Sequence, residues 1–422
     1  MSNDPSTGSG QAFGELNVPA RLLLGPGPSN VHPRVYRAMM TPVIGYLDPQ
    51  FLQLLDDTQR PLRALFSTEN DMAIAVSGTG TAGMEAAVYN VVEPGDTAIV
   101  CLNGFFGDRM AQMARRCGAE AVAVEGEWGR IMEPEQIEQA LKANPGAKVV
   151  AIVHGETSTG VLQPLQEISR LVHAHGALLL VDAVTSLSGC ELLIDEWGVD
   201  VCFSGTQKCL SAPPGMSPVT FSPLAMEVVT NRKEPVRSWY LDISALRNYW
   251  GPSTGSLAGR AGQARADARP SGRVYHHTPP MTMLYALREA LRIALEEGLQ
   301  ARIERHHRNA EALWAGLEAM GLRLHAQEGH RLPPLTTVRV PEGVDDMALR
   351  RGLLQEHNIE VGGGIGTLQG QVWRIGLMGY NSTAHNVLAI LFALETELNR
   401  QGFRTDVGAG VATAARSLNA GS

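Results

Sequence analysis

A lysine stands just beyond an apolar run in the segment Val199-Asp200-Val201-Cys202-Phe203-Ser204-Gly205-Thr206-Gln207-Lys208. The run predicts a buried strand, and Ser204-Gly205 predicts the turn that ends it. A lysine serves packing poorly at such a place, because its ammonium group must be desolvated or paired. Burial can lower the pKa of the amine until it is a nucleophile suited to Schiff-base chemistry. Lys208 is therefore the first candidate catalytic residue, against the commoner alternative of a surface lysine.

An aspartate ends a second apolar run, Gly176-Ala177-Leu178-Leu179-Leu180-Val181-Asp182. Such a run predicts a parallel strand buried on both faces, and ligands of open α/β sheets bind at the carboxyl ends of the strands. An aspartate there could instead cap the following helix. Together with Lys208, however, Asp182 is typical of a carboxylate that pairs with a pyridinium nitrogen. The pair predicts pyridoxal 5′-phosphate (PLP) as the cofactor.

A candidate phosphate site follows the predicted strand 72–76. The segment Ser77-Gly78-Thr79-Gly80-Thr81-Ala82-Gly83 precedes a helical stretch, and N–H groups at a helix N-terminus bind anions. The segment also matches Gly-x-Gly-x-x-Gly, but a dinucleotide site needs an acid at the end of the next strand. That strand ends Cys101-Leu102-Asn103-Gly104, and a nicotinamide cofactor would leave Lys208 without a role. We therefore interpret the segment as a monophosphate site.

Three further segments offer groups that suit a cofactor and its substrate. Phe106 follows a strand end, where an aromatic ring can stack on a pyridine ring. Thr157 lies in Gly155-Glu156-Thr157-Ser158-Thr159-Gly160, which offers hydroxyls at the end of another predicted strand. Arg374 lies inside an apolar strand, where a guanidinium is costly unless it meets a carboxylate. Arg374 is thus a candidate substrate clamp.

Composition and charge exclude several classes of function. The 422 residues carry 35 Lys and Arg against 43 Asp and Glu, a formal net charge of −8, which argues against non-specific nucleic-acid binding. The five cysteines form no Cys-x-x-Cys pair, and no apolar run reaches the length of a membrane span. The first basic residue is Arg21, so we expect no secretory signal. We predict a cytoplasmic protein. We also predict no metal site, because the paired histidines lack a further ligand at a recognisable spacing.

The order of the elements predicts an α/β protein. Strand-like runs alternate with helical stretches from about residue 72 to 222, which indicates a large, doubly wound, mainly parallel sheet. We predict a disordered N-terminal segment (1–18) and a large PLP-binding domain (19–280) with a surface insertion (251–272). A smaller C-terminal α/β domain (281–402) and a flexible tail rich in glycine and alanine (403–422) complete the predicted organisation.

Six motifs, taken together and in order, resemble those of a known family. They are Gly25-Pro26-Gly27-Pro28-Ser29-Asn30, Ser77-Gly78-Thr79-Gly80, Gly155-Glu156-Thr157-Ser158-Thr159-Gly160, Ser204-Gly205-Thr206-Gln207-Lys208, Tyr275-His276-His277-Thr278 and Arg374-Ile375-Gly376-Leu377. From about residue 21 to 400 the chain is similar to class V aminotransferases, most closely the alanine–glyoxylate and serine–pyruvate aminotransferase group. The resemblance implies the aspartate aminotransferase-like fold of PLP-dependent transferases (fold type I).

The resemblance implies roles for the residues around the cofactor ring. Lys208 would form the Schiff base, and Asp182 would pair with the ring nitrogen. Val184 would pack on one face of the ring and Phe106 on the other, where relatives often have tryptophan. Thr157 would contact the ring hydroxyl and the substrate.

The resemblance also implies how the phosphate and the substrate are held. The phosphate ligands would be Thr79, Gly80, Thr81 and Gln207. Tyr275 and Thr278 would reach the phosphate from the partner subunit, so the active sites of a homodimer would be composite. Arg374 would hold the substrate carboxylate, with Gly25 close by.

The implied activity is transamination. A small amino acid, alanine or serine, would pass its amino group to glyoxylate or pyruvate in a ping-pong scheme through Lys208. Serine–glyoxylate, ureidoglycine–glyoxylate and aminoethylphosphonate aminotransferases remain alternatives. A β-lyase or desulfurase would need a reactive cysteine, for which Cys209 is the candidate. A PLP-binding or assembly module without activity is a further alternative, against which Arg374 argues.

Overall fold

The computed structural model describes residues 15–250 and 273–420. Its strands are β1 (Leu22–Leu23), β2 (Met72–Ser77), β3 (Thr97–Leu102), β4 (Glu120–Glu125), β5 (Ala147–Val153), β6 (Gly155–Glu156), β7 (Val161–Leu162), β8 (Leu178–Asp182), β9 (Val201–Phe203), β10 (Met216–Phe221), β11 (Leu335–Arg339), β12 (Ile359–Glu360), β13 (Gly362–Gly363) and β14 (Val372–Gly376). Its helices are α1 (Pro33–Met39), α2 (Pro49–Phe66), α3 (Gly80–Val91), α4 (Phe105–Cys117), α5 (Pro134–Ala143), α6 (Gln166–His175), α7 (Ile194–Trp197), α8 (Pro223–Thr230), α9 (Ile243–Trp250), α10 (Met281–Glu297), α11 (Leu299–Ala319), α12 (Asp346–Glu356), α13 (Ala384–Arg400) and α14 (Ala409–Ala420). Most of the predicted disordered segment 1–18 and the whole predicted insertion 251–272 lie outside the described residues.

A seven-stranded sheet, in the order β2-β10-β9-β8-β5-β3-β4, forms the centre of the molecule. Its strands β9, β8, β5, β3 and β4 are mutually parallel, which confirms the predicted mainly parallel α/β sheet. Strand β10 runs antiparallel to both β9 and β2. Residues 204–215, which connect β9 to β10, contain no helix. A parallel neighbour would need a crossover connection, usually a helix, so β10 lies antiparallel to β9.

The carboxyl ends of three strands meet at one edge of this sheet. Strand β8 ends at Asp182, β9 leads into the turn that carries Lys208, and β2 ends at Ser77, just before α3. Because two antiparallel pairings separate β2 from β9, these two strands point the same way. The edge thus collects the predicted catalytic residues and the predicted phosphate segment.

Two large hydrophobic clusters divide the chain differently from the prediction. The first surrounds the central sheet and includes the buried face of α10, for example Leu284, Leu287 and Leu291. Helix α10 was predicted to begin the small domain, yet it packs with the large one. The second cluster contains α13 and β14, and also Leu24 from the N-terminal segment. Strand β1 joins that unit by pairing with β12.

The predicted flexible tail is wrong for residues 409–420, which form α14. This helix packs on α11 and α13, and Ala414 is completely buried. A Cβ atom on Gly410 would lie 3.1 Å from the Gly316 carbonyl oxygen, so the two helices approach closely because both positions are glycine. The small residues that suggested a loose tail are those that permit this contact. Among the described helices, none is long and apolar enough to cross a membrane.

Candidate active site

A cavity of about 220 Å³ opens at the carboxyl edge of the central sheet. Its lining residues are Gly80, Thr81, Met84, Phe106, Arg109, Val153, Gly155, Thr157, Asp182, Val184, Gln207 and Lys208. Eight of the residues named from the sequence thus line one space, although the chain separates them widely. The cavity joins a basic amine, a carboxylate, an aromatic ring and a helix N-terminus.

Asp182 lies at the base of this cavity, 2 % exposed. Its Oδ1 accepts a hydrogen bond of 2.8 Å from the backbone N–H of Val184. Burial raises the pKa of the carboxyl to about 7, because the charged form loses its hydration. A cationic ring nitrogen placed against this group would restore the charged form. The carboxylate therefore suits a protonated heterocycle.

Lys208 is buried beside it and covered by the N-terminal loop. Its Nζ donates to the carbonyl of Pro26, and burial, followed by the charge of Arg374, lowers the pKa of the amine to about 8. Gly27 has a φ of +110°, and a Cβ atom there would lie 2.6 Å from the lysine Nζ. Only glycine lets the loop pass so close. The free amine that nucleophilic chemistry requires is thus accessible near neutral pH.

The predicted phosphate segment forms the opposite end of the cavity. Thr79 is the N-cap of α3 but makes no cap hydrogen bond with its side chain, so its hydroxyl is available. Gly80 and Thr81 begin the helix, whose N–H groups and dipole favour an anion. The side-chain Oε1 of Gln207 is buried without a hydrogen-bond partner. This oxygen can only accept a hydrogen bond. With the amide turned over, its NH₂ group faces the same space and can donate to an anion.

Apolar and hydroxyl groups lie between these two ends. The Val184 side chain packs against Gly80, where a Cβ atom would lie 3.1 Å from Val184 Cγ2. Phe106 lies in the first turn of α4, and its backbone N–H donates to Glu156 Oε2 over 3.3 Å. The Thr157 hydroxyl contacts that of Thr185 at 2.5 Å. A flat ring would meet apolar groups on its faces and a hydroxyl at its rim.

Arg374 lies near Lys208, whose pKa its charge lowers, on β14 of the smaller unit. It is 8 % exposed, its Nε donates to Gly363 O over 2.8 Å, and its Nη1 donates to Thr157 O over 3.4 Å. Burial lowers the pKa of the guanidinium to about 10. No carboxylate of the described chain lies within ion-pair distance of it. Gly25 lies against Gly362 and Gly376 on this side, and neither Gly25 nor Arg374 lines the cavity itself.

Tyr275 and Thr278 are not among the residues that line the cavity. The Tyr275 hydroxyl contacts the Thr278 hydroxyl at 2.9 Å, and the Tyr275 ring packs 4.7 Å from that of Tyr46. Their neighbour His277 reaches Ser77 through a contact of 2.9 Å between Nε2 and Oγ. The loop thus ends beside the phosphate segment, while these two side chains point to other partners.

Two functional groups at this site were missed by the sequence reasoning. Arg109 lines the cavity one turn after Phe106, and its i+3 spacing from that ring was the available signal. Glu156 lies within a motif that was singled out, but its side chain had been given no role. It is completely buried and accepts hydrogen bonds from the Ser158 N–H and hydroxyl, at 2.9 and 2.6 Å, and from Phe106.

Replacing Glu156 by glutamine is expected to destabilise the protein by about 1–3 kcal/mol, because an amide NH₂ cannot accept the bonds that a carboxylate oxygen accepts. Denaturant unfolding of the cofactor-free protein would measure the change. Glu191, an exposed glutamate, provides the matched control Glu191→Gln. A loss below about 0.5 kcal/mol, the range of ordinary surface changes, would show that Glu156 does not brace the site.

The residues present fit PLP. The cavity offers an amine for an aldehyde, a carboxylate for a pyridinium nitrogen, and hydrophobic groups for the ring faces. For a phosphate it offers the helix N-terminus and hydroxyls, and the amide of Gln207 once it is turned so that NH₂ takes the place of the unsatisfied Oε1. Within the described chain no group of three or more histidine, cysteine or acidic side chains could hold a metal ion.

Comparison with known proteins agrees with this chemistry. The family model "Aminotransferase class-V" matches residues 32–235. The crystal structure of ureidoglycine–glyoxylate aminotransferase from Bacillus subtilis is 41 % identical with a TM-score of 0.89, covering 96 % of this chain and 100 % of that one. The structure of alanine–glyoxylate aminotransferase from Nostoc sp. is 48 % identical with a TM-score of 0.86, covering 92 % and 97 %.

A curated relative extends the likeness to animals. The alanine–glyoxylate aminotransferase of Drosophila melanogaster is 38 % identical over 396 residues, which are 93 % of this chain and 96 % of the relative. Identity at this level over nearly the full length, joined to the lysine and aspartate at the sheet edge, settles the family. The chain belongs to the class V aminotransferases and is an aminotransferase with PLP as its cofactor.

Proposed function

We propose that this aminotransferase moves the amino group of a small amino acid, alanine or serine, to glyoxylate or pyruvate by a ping-pong mechanism. The observation that carries the proposal is Arg374, a buried guanidinium with no carboxylate of the described chain within ion-pair distance, whose charge acts on Lys208. A buried arginine is costly unless a carboxylate meets it, and both substrate classes carry one. The clamp would serve the amino acid and the 2-oxo acid alike.

The size of the site favours small substrates. The cavity holds about 220 Å³, and the cofactor would take much of that space. Two glycines let the loop over Lys208 pack closely, since a Cβ atom on Gly362 would collide with Pro26 and one on Gly27 with Lys208. A long substrate side chain would have to displace this loop. Substrates with one or two side-chain atoms would not.

Each residue has a defined task in this scheme. PLP, when bound, supplies the electron sink for carbanion chemistry. Asp182 would keep the ring nitrogen protonated, and Lys208 would take the proton from the substrate Cα as general base and deliver it, as general acid, to the cofactor carbon C4′ rather than back to Cα. Arg374 orients the substrate carboxylate, and the loop of residues 25–28 excludes water from the amine. The same groups act in reverse order on the incoming 2-oxo acid.

The relatives favour glyoxylate as acceptor, since the names of those from Bacillus, Nostoc and Drosophila all contain it. The same names differ in the donor. Ureidoglycine is therefore a second candidate donor, supported by the TM-score of 0.89 with the Bacillus enzyme.

A half-reaction screen tests the donor directly. Single amino acids are added to the PLP form, and the loss of its absorbance is followed at equal concentrations. Alanine and serine should convert the enzyme within seconds, while leucine and aspartate should do so at least about tenfold more slowly, the discrimination that pocket size can supply. Conversion by ureidoglycine alone would favour the second candidate. Rapid conversion by leucine would refute the small-substrate proposal.

Replacing Arg374 by lysine should cost about 2–4 kcal/mol of transition-state binding for amino acid and 2-oxo acid alike, because a planar fork becomes a point charge. Steady-state kcat/KM for each substrate measures the loss. Arg351→Lys, an exposed change on α12, serves as control. Unchanged kcat/KM for both substrates would remove Arg374 from the site.

The lyase and desulfurase alternative loses support from the position of Cys209. Its thiol is 1 % exposed and donates to the Thr185 carbonyl over 3.3 Å. Burial raises its pKa to about 11, so the reactive thiolate does not form at neutral pH.

The five cysteines are all buried and free, which also supports a reducing compartment, and we propose the cytoplasm.

We also propose a homodimer with composite sites. Large apolar side chains are exposed on and after α1, namely Tyr36, Met40, Val43 and Leu47, and a partner surface would cover them. In a two-fold dimer the Tyr275 loop of one subunit could approach the phosphate of the other.

Complementation tests the shared site. Lys208→Ala is mixed with a variant carrying both Tyr275→Ala and Thr278→Ala, under conditions where subunits exchange. In the heterodimer one active site contains both the missing lysine and the altered loop, while the second active site contains neither change. Activity should therefore return towards the level of one working site per dimer. If the double variant is impaired and the exchanged mixture recovers nothing, the loop acts within its own subunit.

A further inference from the structure

Arg109 links the aromatic side of the cofactor cavity to the phosphate segment. It lies on α4, and its guanidinium carbon is 5.1 Å from the ring centroid of Phe106 and 5.3 Å from that of Phe105. Its Nη1 donates to the Thr81 hydroxyl over 3.3 Å. One side chain thus touches the ring-stacking aromatic and the first turn of α3.

The guanidinium of Arg109 forms no ion pair in the described chain, although its charge lowers the pKa of the Asp182 carboxyl. No carboxylate of residues 15–250 or 273–420 lies within ion-pair distance of its guanidinium, and its one hydrogen bond to protein is the contact with Thr81. Arg109 and Lys208 are the only cationic side chains that line the cavity among these residues. The lysine amine is required at the aldehyde carbon, so it cannot also neutralise a phosphate.

A phosphate monoester brings up to two negative charges into this space. A helix N-terminus supplies about half a unit of positive charge, and hydroxyls and amides supply none. The neutral donors of Thr79, Gly80, Thr81 and Gln207 therefore leave most of that charge uncompensated. A guanidinium has the planar fork that binds phosphate oxygens in pairs.

We propose that Arg109 is the cation that pairs with the cofactor phosphate, and that its contact with Phe106 couples phosphate binding to the position of the stacking ring. The guanidinium rests on the aromatic faces through a cation–π contact, which leaves its N–H edge free for an anion. Phosphate binding would then hold the Arg109 side chain in place, and Arg109 would hold the Phe106 ring in place. This inference concerns the cofactor and is independent of which amino acid is the substrate.

The test distinguishes binding of the cofactor phosphate from binding of the cofactor ring. The full-length protein, freed of cofactor, is titrated with PLP and with pyridoxal, which lacks the phosphate, and binding is followed by quenching of intrinsic fluorescence. The variants are Arg109→Met, Arg109→Lys and the control Arg115→Met, an exposed arginine on the same helix. Circular dichroism confirms that each is folded, and the pyridoxal titration shows that its site is intact.

For Arg109→Met we expect PLP to bind about 10- to 100-fold more weakly, while pyridoxal affinity changes less than about threefold. Arg109→Lys should lose less, and Arg115→Met should lose nothing. Inorganic phosphate should compete with PLP for the unmodified protein and not for Arg109→Met. Equal weakening for PLP and pyridoxal, or no weakening of either, would overturn the proposal.

The holoenzyme provides a second readout that does not depend on affinity. Phosphorus NMR reports the ionisation of the bound phosphate, whose second pKa in water is about 6. With Arg109 paired, the resonance should stay at the dianion position as the pH falls through that value. In Arg109→Met it should titrate. A resonance that behaves alike in both proteins would contradict the pairing.

Discussion

Replacing Lys208 with alanine is expected to abolish transamination while the fold survives. The amine has two tasks that no other described group at the cavity can take over: it holds the cofactor and it transfers the proton at the substrate Cα. A positioned general base alone contributes about 10²–10⁴-fold, so the combined loss in kcat should exceed about 10⁴-fold. Steady-state kinetics measures the loss, and far-UV circular dichroism tests the fold.

A matched control and a rescue experiment separate chemistry from structure. Lys148, exposed on β5, provides the control Lys148→Ala, which should retain full activity. Adding methylamine to Lys208→Ala should restore part of the turnover, since a small free amine can reach the vacated space and transfer the proton. Activity above about one hundredth of the original without added amine would show that another group is the base.

Replacing Asp182 by asparagine should lower kcat/KM by about 10²–10⁴-fold. The pairing of a buried carboxylate with a protonated ring nitrogen is lost, and breaking one partner of such a pair costs about 3–5 kcal/mol. Asparagine preserves shape and can still accept from the Val184 N–H, so the loss reports the charge. The measurement is kcat/KM for donor and acceptor, together with the amount of bound cofactor by absorbance.

Asp71 offers the matched control, since it is an exposed aspartate at the opposite edge of the same sheet. Asp71→Asn should leave kcat/KM unchanged. Asp182→Asn should keep most of its cofactor, because Lys208 and the phosphate segment remain. A decrease of less than tenfold would mean that the ring nitrogen does not depend on this carboxylate, and the assignment of Asp182 would fail.

The sequence predicted those parts of the site that stand at the ends of strands. Asp182 and Lys208 each follow an apolar run, and a parallel sheet brings such ends to one edge whatever lies between them in the chain. The phosphate segment was found for the same reason, because it joins β2 to the N-terminus of α3. These inferences rest on periodicity and on local turn residues, which a single sequence displays.

What the sequence could not reveal depends on contacts between distant elements. Arg109 and Thr81 meet because α3 and α4 pack side by side, and nothing in either helix alone shows the meeting. Helix α14 was not predicted, because a segment rich in glycine and alanine is typical of a flexible chain. Only the structure shows the close contact between Gly410 and Gly316 that these small residues permit. The assignment of α10 to the large unit likewise depends on which face of the helix the sheet covers.

The pairing of β1 with β12 has a consequence for the order in which the protein assembles during synthesis. Arg21 and its hydrogen-bond partner Asn358 are 337 residues apart, so at ribosomal rates they emerge on the order of 20–70 s apart. Throughout that interval the loop of residues 25–28, which covers Lys208, is present but lacks β12, the strand that anchors it through β1. We therefore expect the central sheet to fold first and the cover to close last, since such distant contacts form slowly. A nascent chain would thus expose its lysine to the cofactor before the site is sealed.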